Sequence, residues 1–259
     1  MTSTTTAPQS ATTAVALSGV TKVYGRGSNA VLALDGVSLD VAPGEFVCLV
    51  GASGCGKSTL LNLVAGLDRP SGGQIGIAGG ANPGLMFQEP ALFPWLTVDA
   101  NVEVPLKLRG LPRAARRERV AELLRTVHLA EFGRKRPHEL SGGMRQRVAL
   151  ARTLALDTPV LLMDEPFGAL DAMTRDILHD ELERIWSERQ LSVLFVTHNV
   201  REAARLADRI ILLSSRPGRI IYSTEVDIPR PRRIDSPEVA AIAAEVTERL
   251  RTEVGRHGQ

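Results

Sequence analysis

The chain has 259 residues, enough for one sizeable domain with its own core. Hydrophobic residues at 44% and charged residues at 23% match soluble globular proteins, which excludes a disordered or membrane-embedded body. With 31 basic against 29 acidic side chains the net charge is +2, too balanced for the counterion-release term that dominates nucleic-acid binding, so no nucleic-acid partner is expected.

Positions 1–14 are rich in Thr, Ser and Ala and lack the basic start and apolar run of a secretion signal, so they read as a flexible tail. No apolar stretch approaches the roughly 20 residues that cross a bilayer, and any membrane association must pass through a separate protein. Cys48 and Cys55 form neither a disulfide framework nor a zinc pattern, which fits a reducing compartment.

Short apolar runs at 46–50, 160–163, 193–196 and 210–213 predict strands buried on both faces. The first runs directly into Gly51-Ala52-Ser53-Gly54-Cys55-Gly56-Lys57-Ser58-Thr59 and then into a helical run from Leu60. This is the G-x-x-x-x-G-K-[ST] pattern in the strand–loop–helix setting it requires. Its glycines let successive backbone amides turn inward as an anion nest, which the helix N-terminus extends. Lys57 adds a positive charge for the outer phosphates, Ser58 a hydroxyl for Mg²⁺, and Thr59 a further phosphate contact. Cys55 lies inside the loop with no resolving cysteine beside it, and no redox role is assigned to it.

About 90–140 the strand pattern gives way to helical spacing, with a stripe at Val120, Leu123, Leu124 and Val127, which predicts an inserted helical lobe. Arg113, Arg116, Arg117 and Arg119 interleave with Glu118 and Glu122 as a solvated charged face. Leu140-Ser141-Gly142-Gly143-Met144-Arg145-Gln146-Arg147 then opens another helix, and its serine and glycines make a second anion-seeking helix start. Two such starts in one chain could grip one triphosphate if the second came from a neighbouring copy, in a two-fold head-to-tail dimer.

The run 160–163 ends in Asp164 and Glu165, the first placed to hold Mg²⁺ and the second to accept a proton from an attacking water. Asp171 is a helix N-cap before an apolar stripe of Met173, Ile177, Leu178, Leu182, Ile185 and Trp186. Strands alternating with helices predict a mainly parallel sheet covered on both sides. His198 follows the run 193–196, at the carboxyl edge of that sheet where open α/β folds bind ligands. Past Ser214 the chain is rich in Pro and Arg, until Ser236-Pro237-Glu238 opens a terminal helix.

Together these segments resemble the ABC transporter ATPases, whose Walker A, signature and Walker B motifs are similar to the three described, over a match from about 15 to 219. The resemblance implies an α/β P-loop NTPase (RecA-like) core with an antiparallel N-terminal β part and the helical subdomain inserted. On it, residues 15–259 form a single ABC ATPase domain with a C-terminal extension from 222, lacking an added regulatory barrel. Tyr24 resembles the aromatic that stacks on adenine, Gln88 the glutamine coupling the metal site to the membrane subunit, Gly168-Ala169-Leu170-Asp171 the dimer-contact loop, and His198 the switch histidine on the γ-phosphate. ATP and Mg²⁺ are the implied ligands. A homodimer, permease subunits and, indirectly, a solute-binding protein are the implied partners, at the cytoplasmic face of the cell membrane.

The apolar stretch Glu89-Pro90-Ala91-Leu92-Phe93-Pro94-Trp95-Leu96 stands where this family docks its permease. Its wording, with Ser215-Arg216-Pro217-Gly218-Arg219-Ile220, resembles the nitrate, sulfonate and taurine importers. Between Gly73 and Gln88 the chain departs from that group, being shorter and richer in glycine. Two rival readings are a P-loop small-molecule kinase, which has no use for Ser141, Gly142 and Gly143, and a non-transport ABC ATPase, which needs coiled-coil arms or tandem cassettes.

Overall fold

The computed structural model describes residues 13–80, 82–168 and 170–257. The expected tail falls outside them except for its last two positions. Ala14 is already buried there, donating its amide to Val41 at 2.7 Å and accepting from Ala78 at 2.9 Å.

Strands β1 (Val15–Tyr24), β2 (Val31–Val41) and β4 (Gly72–Ile77) form an antiparallel sheet in the order β2-β1-β4. A second sheet runs β5-β6-β7-β3-β8-β9, built from β3 (Phe46–Val50), β5 (Gly84–Met86), β6 (Val160–Asp164), β7 (Ser192–Val196), β8 (Arg209–Leu213) and β9 (Ile220–Glu225). All its pairings are parallel except β8 with β9.

The unbroken apolar runs follow from burial on two faces. Along β3, Phe46, Cys48 and Val50 pack into one core with the helical lobe, while Val47 and Leu49 point to a second core shared with the antiparallel sheet. Helix α1 (Lys57–Val64) lies between the two sheets and contributes Leu60, Leu61, Leu63 and Val64 to that second core.

The predicted lobe contains α2 (Val98–Leu108) and α3 (Arg113–Thr126), packed on α4 (Gly142–Leu154). Val98, Val102 and Leu106 of α2 meet Val120, Leu123 and Leu124 of α3, so the stripe read from the sequence is the seam of the lobe.

Helix α5 (Ala172–Arg189) departs from its expected stripe. Leu178, Leu182 and Ile185 are buried, but Met173 and Ile177 are exposed at 77% and 47%, because burial begins only after the first turns. Short α6 (Val200–Leu206) packs against the terminal α7 (Pro237–His257), whose start is capped by Ser236 accepting from the Val239 amide at 3.3 Å.

Two further strands escaped the sequence reading. β5 is three residues long and glycine-led, and β9 is an edge strand that alternates between half-buried and exposed positions. The expected C-terminal extension from 222 therefore starts inside β9. The glycine-rich stretch before Gln88 passes from one sheet to the other, β4 lying in the antiparallel sheet and β5 in the parallel one.

Candidate nucleotide site

The 51–59 loop leaves β3 at the carboxyl edge of the parallel sheet. Gly56, the N-cap of α1, has φ of 107°, and a Cβ there would stand 2.7 Å from Leu34 Cδ2 and 3.0 Å from the Ala33 carbonyl oxygen. Only glycine meets both demands. Lys57 is buried and folds back over its own loop, donating to the carbonyls of Gly51 at 2.8 Å and Ala52 at 3.0 Å. Cys55 packs beneath the loop, and burial pushes its thiol above the ordinary range against the opposing pull of Lys57.

β6 delivers the two acids. Burial pushes the Asp164 carboxyl above the usual carboxylate range, and a hydrogen bond from Ser58 works the other way. Ser58 and Asp164 are thus paired oxygen donors at the mouth of the loop, the donor type that suits Mg²⁺. Among the described residues no cluster of three or more His, Cys, Asp or Glu could hold a metal alone. Two oxygen donors of this kind fit a Mg²⁺ that would complete its shell with phosphate and water oxygens.

Glu165 leaves the strand with φ of 43° and is pinned by its amide to the Val196 carbonyl at 2.9 Å. The turn aims its carboxylate at His198, with Oε2 and Nδ1 2.8 Å apart. The imidazole is 63% exposed, so its other edge faces the open cleft.

Lys57, Ser58, Glu165 and His198 share one cleft of about 720 Å³, lined also by Tyr24, Val31, Ala33, Ser53, Gly54, Gly56, Thr59, Gln88 and Arg216, whereas Gly51, Cys55 and Asp164 are not part of its lining. Tyr24 is 41% exposed, and Lys22 Nζ lies 4.8 Å from the centroid of its ring. Lys22 is itself tied to Asp68 at 2.7 Å and to the Arg69 carbonyl at 2.8 Å, which bolts the aromatic to the turn after α1. Gln88 follows β5, and its carbonyl accepts from Gln146 of α4 at 3.3 Å, linking the cleft to the lobe.

Ser141, Gly142, Gly143 and Asp171 do not line this cleft. Ser141 caps α4 by accepting from Met144, and Asp171 caps α5 by accepting from the Thr174 amide at 2.9 Å. These two helix starts adjoin: a Cβ on Gly143 would lie 3.2 Å from Thr174 Cγ2 and 3.3 Å from Leu170 Cδ2. The Ser141 helix start is therefore a surface separate from the cleft that the 51–59 loop lines. Sequence reading had not placed Val31, Ala33, Lys22, Gln146 or Arg216 at the site. Gln146 and Arg216 lie in segments quoted from the sequence, but nothing local in either segment shows that it reaches the cleft.

A phosphate loop, a strand ending in paired acids and a histidine beside the second acid define a nucleotide-hydrolysing P-loop fold. The ABC transporter family model matches residues 34–168, and the chain belongs to that family, whose members are ATP-hydrolysing cassettes. It is 50% identical over 210 residues to the nitrate import ATP-binding protein NrtD of Synechocystis sp., covering 79% of this chain and 78% of that one. It is 45% identical to the aliphatic sulfonates import ATP-binding protein SsuB of Bacillus licheniformis, covering 89% and 92%. Identity is 47% to the taurine import ATP-binding protein TauB of Burkholderia pseudomallei, covering 82% and 84%. Among solved structures it resembles the dimeric post-hydrolysis state of the ATP-binding cassette MJ0796 bound to ADP and Pi, with a TM-score of 0.76, 35% identity, and coverage of 83% of this chain and all of that one.

Proposed function

We propose that two copies of this chain clasp ATP between the 51–59 loop of one and the Ser141 helix start of the other, and that this closure powers a membrane importer of small oxyanionic solutes. The observation that carries the reading is the separation of the two surfaces. Tyr24, Lys57, Gln88, Glu165 and His198 gather in one cleft, while Ser141, Gly142 and Gly143 stand outside it. MJ0796, described as dimeric, supports a paired arrangement.

In this reading Tyr24 stacks on the base and the 51–59 amides with Lys57 hold the phosphates. Mg²⁺, held by Ser58, Asp164 and Gln88, would neutralise phosphate charge when bound. Glu165 orients the attacking water and takes its proton, while His198, hydrogen-bonded to Glu165, meets the γ-phosphate from the free edge of its ring. ATP bridges only the closed pair, so it supplies the differential affinity that shifts the dimer toward closure, and hydrolysis removes it.

The permease surface is the 89–96 loop, held rigid by buried Asn101, which accepts from the Phe93 amide at 2.8 Å and donates to Thr97 at 2.9 Å. Arg152 grips the other side through the carbonyls of Ala91 at 2.7 Å and Pro90 at 2.9 Å. Trp95 is left 68% exposed on this rigid loop, as an anchor for an apolar partner. No helix among the described residues is long and apolar enough to cross a membrane, which accords with a peripheral subunit beneath a separate permease. The imports named for the relatives, of nitrate, aliphatic sulfonates and taurine, support nitrate or a sulfonate as the class of cargo, delivered by a solute-binding protein.

The test uses Ser141→Arg, which places a bulky cation at the closing tip. Fluorescent-nucleotide titration should show binding unchanged, while phosphate release falls by about a hundredfold or more. Wild-type rates of phosphate release from this variant would refute the clasp.

A further inference from the structure

The turn between β8 and β9 meets the phosphate loop at Gly54 and Gly218. The Gly218 amide donates to the Ala33 carbonyl at 2.9 Å and its carbonyl accepts from Asp35 at 3.0 Å. A Cβ at Gly218 would stand 2.3 Å from the Cys55 carbonyl oxygen, so the turn lies directly on the loop. Ser214 closes the turn from within, donating to Pro217 at 2.7 Å and accepting from the Arg219 amide at 2.9 Å. The Ser215 amide is held by Glu253 of α7 at 3.2 Å.

Two arginines emerge from this clamped turn with different fates. Arg219 is neutralised by Asp35 through its Nε at 2.9 Å. Arg216 is exposed, has no carboxylate partner among the described residues, and lines the cleft together with Lys57 and Ser58. Its contact with the loop is a donation from Nη2 to the Gly54 carbonyl at 3.3 Å, which uses one of the five donors of a guanidinium. A rigid base, a polar fork with spare donors and an uncompensated charge at a phosphate cleft form an anion contact.

We propose that Arg216 is a further nucleotide-binding residue, supplying from the β8–β9 turn a cation to the phosphate chain of the nucleotide held by the same protomer. The proposal rests on the reading of the cleft as the nucleotide site. It extends the phosphate cradle beyond the 51–59 loop, and through Ser215 and Glu253 it ties that extension to the terminal helix.

Isothermal titration of the full chain with ADP, in wild type, Arg216→Gln and Arg216→Lys, tests it. Arg216→Gln should weaken ADP by about tenfold, with Arg216→Lys recovering part of the loss and both variants melting with the wild type in the absence of nucleotide. Equal ADP affinity in Arg216→Gln and wild type would overturn the proposal, and so would a loss that follows a lower melting temperature of the nucleotide-free variant. A wild-type chain that binds no ADP overturns the reading of the cleft itself, and the Arg216 assignment falls with it.

Discussion

At the scale of single residues, the geometry around Glu165 separates binding from hydrolysis. Its carboxylate touches His198 and not the 51–59 loop, whose own contacts run through Lys57 to the Gly51 and Ala52 carbonyls. Glu165→Gln keeps the shape and removes the base. Phosphate release is expected to fall by about 10² to 10⁴, while fluorescent-nucleotide binding stays within twofold. The two cysteines make a different prediction. Burial pushes the thiols of Cys48 and Cys55 above their ordinary range, so near pH 8 the native protein holds both as unreactive thiols. A colorimetric thiol reagent should read close to zero before denaturant and two afterwards. The sign for stability follows. These thiols cost nothing below the ordinary thiol pKa, and as pH rises through it the unfolded chain ionises first and stability falls.

At the scale of elements, the Pro- and Arg-rich stretch before α7 is clamped to the body of the fold by Arg230 and the buried Arg232. Arg232 is 5% exposed and donates to the carbonyls of Ile228 at 2.7 Å, Ala207 at 2.5 Å, Val226 at 2.8 Å and Arg205 at 3.3 Å. With burial and the neighbouring Arg230 against it, its guanidinium pKa is pulled down to about 10, so it is still charged at neutral pH. Arg230 lies over Trp186 of α5 at 4.3 Å and reaches the Leu206 carbonyl and Asp208, each at 2.7 Å. These bonds fasten the segment before α7 to the end of α6 and the start of β8. Arg232→Ala leaves several buried carbonyls unpaired and should cost about 2–4 kcal/mol in urea unfolding. An unchanged denaturation midpoint would show that the clamp is not needed for stability.

At the scale of the whole molecule, the cleft and the lobe are joined through α4, the route along which closure would reach the lobe in the proposed cycle. The Gln88 carbonyl meets Gln146 of α4, and Arg152 of the same helix holds the loop that exposes Trp95. α4 thus joins the signature tip at Ser141, the cleft at Gln88 and the apolar loop. Trp95→Glu should leave ATP hydrolysis by the isolated chain unaltered while abolishing co-purification with its permease. Retention of the permease by that variant would move the docking surface elsewhere.

The sequence by itself determined what is local. A phosphate loop is written in nine consecutive residues because a strand, a glycine turn and a helix start must follow one another to build an anion nest. The buried strands were legible because both faces of a parallel strand are apolar, and Asp171 and Ser236 as caps because capping acts over three residues. Only the tertiary structure decided what depends on distant partners. Met173 and Ile177 carry the same helical periodicity as Leu178 but lie on turns of α5 that stay exposed among the described residues. β5 and β9 hold their places through neighbours in the sheet, so their own residues say little. Arg216 reaches the phosphate loop from 162 positions away because β8 lies beside β3, and no local pattern records that adjacency.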